Sequence, residues 1–212
     1  MLNNIQNNPF TKTFQNYYQE LLSNSQRKEI ETCLKDFLYI DDNEIVHTMT
    51  NDLANTLKLY TRKLKHEQIQ AITLLIDAPE QEYFIPSIIL ASAYDGYIIK
   101  KTYSDPIHPL LPKAENIYNV LDFNKTIFSQ FGGCDIDMIS DILFDVISLP
   151  DIAKSTLVQV QTLVIIKILE LLYNSCLLLM QGEAFMQLPK NYPFAFFAHL
   201  DNQEYIYLTA CD

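Results

Sequence analysis

Three aspartates, Asp137, Asp141 and Asp145, recur at intervals of four residues. On a helix that spacing puts all three on one face, because four residues advance the chain by little more than one turn. Ile139, Leu143, Val146 and Ile147 then fall on the opposite face. Like charges one turn apart cost a helix roughly 0.3 kcal/mol per pair, and aspartate is a mediocre helix former. Only Asp137, near the helix start, gains from the helix dipole. No lysine relieves the repulsion, since none occurs between Lys125 and Lys154. The chemistry open to such a stripe is ionic docking of Lys or Arg side chains. Its ordinary alternative is a solvated helix face.

Metal chemistry fits this segment poorly. Asp135, Asp137 and Asp141 could be written as magnesium ligands, because hard cations take clustered carboxylates. However, Asp135 and Asp137 project in different directions from one helix, and the central glycine of a calcium loop is missing. The four histidines give no better donor set: His66-Glu67 lacks the second histidine of a zinc-protease HExxH motif. The four cysteines, Cys33, Cys134, Cys176 and Cys211, are widely spaced and form no CxxC pair. No metal and no cofactor is expected.

The commonest nucleotide-binding enzymes are excluded by composition. The chain of 212 residues has 4 glycines, Gly96, Gly132, Gly133 and Gly182, where about 15 would be usual. Neither GxGxxG nor GxxxxGK[ST] can be built from them. A GxSxG nucleophile elbow is also absent. A spatially assembled site stays open: Glu80, Glu82, Asp95 and Asp105 could supply an acid–base pair, and a deep pocket uniting His108 of the proline-rich loop 103–113 with carboxylates would mark one.

A second candidate surface lies in the middle of the chain. Tyr94, Asp95, Tyr97, Tyr103 and Asp105 combine tyrosines with acids in a turn-rich stretch. Tyrosine brings area and a hydrogen bond to a protein interface at low entropy cost. The same tyrosines would equally serve as core and rim of a small sheet.

The whole-chain charge has the same sign as these acids. The formal net charge is −11, and the balance by thirds is −1 for residues 1–70, −6 for 71–142 and −4 for 143–212. Such a field repels nucleic acid and anionic membranes and attracts basic proteins. It would also serve solubility alone.

These residues need positioning elements. Hydrophobic residues make up 49% and charged residues 19% of the chain, enough to build a core. Apolar spacing of three and four predicts helices over about 10–22, 26–39 and 44–65. Ser23-Asn24-Ser25 and Asp41-Asp42-Asn43 read as the breaks between them. Ile69–Ile76 and Tyr83–Ala91 read as antiparallel strands joined by a turn at 77–82, with Pro86 at an edge or bulge. Helical patterning is expected again over about 115–130 and over 136–148, with Asp135 as the N-cap and Pro150 as the stop. Residues 152–181 form the longest apolar segment, with Gly182 suited to its C-terminal cap. Lys167 and Glu170 interrupt the segment well short of the ~18–20 apolar residues of a membrane span, so a buried central helix is expected. The tail, with Phe194–His199 and Tyr205–Thr209 around a polar turn, reads as a hairpin.

The expected fold is therefore a single α+β domain, mostly helical. Its N-terminal part, about 1–66, is helical, and its part from about 67 to 212 is mixed. A small antiparallel sheet would come from the two hairpins. The N-terminus MLNNIQNNPF lacks the basic and apolar regions of a secretory signal, and the thiols read as reduced, so a cytoplasmic location is expected.

In profile the chain resembles bacterial immunity proteins, which neutralise toxins of competition systems. The likeness rests on the stripe Asp137/Asp141/Asp145, the Tyr-rich acidic middle and the closing PFAFFAHLDNQEYIYL hairpin. It is a likeness of type and carries no residue-level transfer. It implies a non-catalytic inhibitor that occludes the active site of a basic toxin, a nuclease being one such partner. Two other readings stay open: a non-catalytic subunit or adaptor of an intracellular complex, and an enzyme with its site near loop 103–113.

Overall fold

The computed structural model describes residues 8–25, 27–64, 67–77, 87–100, 119–134, 136–200 and 205–212. Helix α1 spans Pro9–Asn24. Proline suits the first helical turn, and the Asn8 side chain accepts a hydrogen bond from the Phe10 amide at 2.9 Å. Helix α2, Lys28–Lys35, tightens into a 3-10 turn over Asp36–Tyr39. Helix α3, Asp42–Lys63, starts two residues before the expected 44 because Asp41 caps it, accepting from the Asn43 and Glu44 amides at 3.0 and 3.2 Å. Asp42 and Asn43, read as a turn, are thus its first residues. Its stripe of Ile45, Met49, Leu53, Leu57 and Tyr60 is buried.

Among the described residues, seven strands follow the expected change of character: β1 Ile69–Asp77, β2 Ser87–Tyr94, β3 Tyr97–Lys100, β4 Asn119–Phe123, β5 Thr126–Cys134, β6 Lys190–Leu200 and β7 Tyr205–Cys211. Helices α4, Asp137–Ile147, α5, Lys154–Leu179, and α6, Glu183–Met186, lie between β5 and β6. The domain is α+β, with α5 as its buried central helix.

Two expectations about the strands change. Residues 115–130 are not helical where described: β4 and β5 occupy 119–123 and 126–134, and Gly132-Gly133 lies inside β5. The sheet is also larger than two hairpins and is mixed. Its order is β5-β2-β1-β6-β7, with β1 and β6 parallel and the remaining pairs antiparallel, while β3 and β4 form a separate ribbon. The turn at 77–82 and Pro86 lie largely or wholly outside the described residues.

One face of the sheet carries the main core. Ile72, Leu74 and Ile76 of β1 and Phe194 and Phe196 of β6 pack with the buried residues of α1, α3 and α5. Alternate residues point to the other face, where Ala71, Ala195 and Phe197 form a second cluster with Tyr94, Tyr97, Phe123, Tyr205 and Tyr207. Helix α5 is 26 residues long and apolar enough to cross a membrane, yet 78% of its most apolar stretch is buried inside the protein. Gly182 does not end it in a left-handed cap. Its backbone is extended (φ −88°, ψ 156°), and it opens α6 instead.

Candidate functional site: the exposed face of helix α4

Helix α4 takes its orientation from its apolar side. Ile136, Ile139, Ile142, Leu143 and Val146 are buried in the main core, and the helix packs against α5, α2 and the 3-10 turn. The residue before the helix is Ile136, which offers no side-chain cap, and Asp135 lies outside the described residues. Burial of this side forces the acidic side outward. Asp141 and Asp145 are both exposed; Asp137 opens the helix, and its side chain lies outside the described ones.

Among the described residues, neither Asp141 nor Asp145 makes an ion pair. The stripe also carries apolar groups that spacing alone did not single out. Met138 is 50% exposed and Phe144 55% exposed. At 100° per residue, Phe144 and Met138 mark the two edges of the outward face, with Asp141 and Asp145 between them. The neighbouring 3-10 turn adds Leu38 at 66% and Tyr39 at 80% exposure. A large apolar side chain left in water on a helix that could have carried a polar residue there marks a surface used for contact when several such groups adjoin.

The local potential is negative. Cys33 of α2 is half-buried; burial pushes its thiol up, and the charges of Asp145 and Asp36 push it further. Those two carboxylates therefore act on one spot from two elements.

The second candidate surface is arranged differently. Tyr94 stacks on Phe123 with ring centroids 4.2 Å apart, and Tyr97 meets Phe197 edge-on at 5.3 Å. The Tyr97 hydroxyl donates to the Pro193 carbonyl at 3.3 Å, and burial raises its pKa. Asp95 accepts from the Lys125 amide at 2.9 Å, holding the β4–β5 turn against the β2–β3 turn. These residues sit on the sheet face opposite the helices, so they and α4 form separate surfaces. Tyr103, Asp105 and His108 lie outside the described residues, as does the whole of loop 103–113.

Two further features could hold chemistry. A buried ionic cluster joins Lys167 of α5 to Asp42 Oδ2 at 2.6 Å and to Glu170 Oε2 at 3.0 Å. Thr11 donates to Glu170 Oε1 at 2.6 Å, and Asn8 donates to the Glu170 carbonyl at 2.9 Å. The lysine is 4% exposed and the glutamate 6%. Opposite charges this closely paired and this deep tie helices together rather than meet a substrate. The signal was legible: two charges three residues apart in an otherwise apolar helix must find partners.

The other feature is a cleft of about 250 Å³ at the start of α5, lined in part by Asn24, Arg27, Asp151, Thr156 and Gln159. Its cation is committed to the chain, because the Arg27 guanidinium donates to the carbonyls of Pro150 at 2.9 Å and Asp151 at 3.2 Å. No group of three or more His, Cys, Asp and Glu side chains suited to a metal occurs among the described residues. No family model matches the chain, and no curated protein or solved structure matches it either.

Proposed function

We propose that this protein is a non-catalytic binding protein that captures a basic protein on the exposed face of α4, in the manner of an immunity protein occluding a toxin's active site. The observation that carries this reading is the exposure of Asp141 and Asp145, with no cation paired to either among the described residues, on a helix whose other side is fixed in the core. Carboxylates held this way keep their full field for a partner. They would speed encounter with a cationic surface and, if the partner is a nuclease, compete with the phosphates it must bind.

The adaptor reading draws on the exposed Leu38, Tyr39, Met138 and Phe144, which suit an apolar contact. Salt separates the two. Between about 50 mM and 500 mM salt the screening length falls from roughly 14 Å to about 4 Å, which weakens charge-steered capture and leaves apolar contact nearly unchanged.

The test is capture from cells with the wild-type chain and with Asp141→Lys/Asp145→Lys as baits. A basic protein held by the wild type, lost from the variant and released by salt is the expected result. A neutral or acidic partner, or one held equally by both baits, overturns the reading.

A further inference from the structure

Resting on that reading, we infer that the element docking on α4 is a cationic amphipathic helix, seated on α4 and the 3-10 turn with its apolar stripe against Phe144 and Leu38 and its Lys or Arg residues against Asp141 and Asp145. The argument begins with the mixture of groups. Four large apolar side chains, Leu38, Tyr39, Met138 and Phe144, stand half or more exposed on two adjoining elements. An ionic surface built only for steering has no use for them, because each leaves apolar area in water. A surface that seats an apolar partner alone has no use for three aspartates repelling one another along the same helix.

Charge complementarity then fixes the occupant. Asp141 and Asp145 stand one turn apart, about 6 Å along the axis. Cations one helical turn apart on a partner helix match this repeat, and an apolar row at i, i+3, i+4 and i+7 beside them suits Phe144 at the edge of the face, with Leu38 exposed on the adjoining turn. Asp36, on the facing turn, is also exposed and adds its field to that of Asp145 at Cys33. A second copy of this chain is a poor occupant for the same face, since two such faces would meet acid against acid. An anionic membrane or nucleic acid is repelled for the same reason.

In this arrangement the two kinds of residue have separable duties. The aromatic and aliphatic side chains hold the complex and set its dissociation rate. The aspartates set the approach and its salt dependence.

The experiment uses the full chain and three synthetic, fluorescein-labelled 18-residue peptides. One is a Leu/Lys helix of 3.6-residue period, the second replaces its lysines with glutamate, and the third keeps the lysines but replaces leucine with serine. Anisotropy titrations are run with wild type, Phe144→Ala/Leu38→Ala and Asp141→Asn/Asp145→Asn. The Leu/Lys helix is expected to bind wild type most tightly. The Phe144/Leu38 variant is expected to lose about tenfold with an unchanged salt slope. The Asp141/Asp145 variant should show a flatter salt slope, and amide shifts in a labelled sample should cluster on α4 and residues 36–39. Equal binding of the Leu/Lys and Ser/Lys peptides, or no loss in the Phe144/Leu38 variant, overturns the inference. The capture experiment with the aspartate baits can still succeed in that case, so failure here is distinguishable from failure of the basic-partner reading.

Discussion

Lys167 Nζ lies 2.6 Å from Asp42 Oδ2, across the interface between the central helix and the first turn of α3. The same ammonium reaches Glu170 at 3.0 Å and stands 5.0 Å from the centre of the Phe14 ring of α1. One cation therefore touches three helices. Lys167→Ala should destabilise the fold by about 3–5 kcal/mol, because it strands the buried Glu170 carboxylate. Lys167→Met with Glu170→Gln, which removes both charges and keeps the volume, should retain most of that stability. Urea unfolding of the two variants measures the difference.

The Tyr60 hydroxyl donates to the Ala91 carbonyl, joining α3 to β2, and the side chain is fully buried. Tyr60→Phe leaves that carbonyl without its donor and should cost about 1–2 kcal/mol. Burial holds the Tyr60 phenol far above its ordinary value, and burial with the charge of Tyr94 pushes Tyr205 up to about 12. The unfolded chain releases these protons near pH 10. Both groups thus contribute stability that is complete below pH 10 and is lost as pH rises, for Tyr205 through a window from about 10 to about 12. Tyrosinate absorbance at 295 nm should lag behind a simple titration until the protein unfolds.

Cys33 provides a reporter for the α4 surface. After burial, the charge of Asp145 is the largest influence raising its thiol pKa, followed by that of Asp36. Asp145→Asn should lower that pKa and speed alkylation of Cys33 at pH 8, since the thiolate is the reacting form. Cys176, which is fully buried, should stay slow in both proteins. An unchanged Cys33 rate would place Asp145 too far away to act on it.

Helix α4 should be easy to stabilise. Asp141→Lys turns two repulsive i,i+4 spacings into attractive ones on an exposed face, so folding stability should rise by roughly 1 kcal/mol. If partner capture falls in the same variant, the native aspartate has been kept at a cost to the fold. Thermal unfolding beside the capture experiment checks both halves.

The elements most legible in the sequence were those whose local pattern decides their fate. The stripe of Met49, Leu53, Leu57 and Tyr60 could bury only as a helix, and the alternation of Phe194, Phe196 and Ala198 only as a strand. The expected helix over 115–130 misled because Val120, Ile127 and Phe128 satisfy helical spacing, while no alternation of apolar with polar residues marks a strand there. Tertiary pairing of β5 with β2 decided against the helix. Helix α4 itself was legible from spacing, and Asp141 and Asp145 are exposed on it. Their apolar companions, Met138 and Phe144, were not legible, because exposure of a hydrophobic residue depends on which neighbours fail to cover it. The contact between Lys167 and Asp42 joins residues 125 positions apart, beyond the reach of any local rule.

The parallel pairing of β1 with β6 dictates an order of assembly. Ile72 lies opposite Phe196, so the middle strand of the sheet gains one of its two neighbours only when residues far along the chain have arrived. Until then β1 offers a bare edge, and its hairpin with β2 is a marginal structure by itself. Closing so long a loop early is entropically costly, which makes this a slow-folding topology. During synthesis the nascent domain would have to wait, its apolar strands shielded by chaperones or by the helices already formed, for the last two strands to dock.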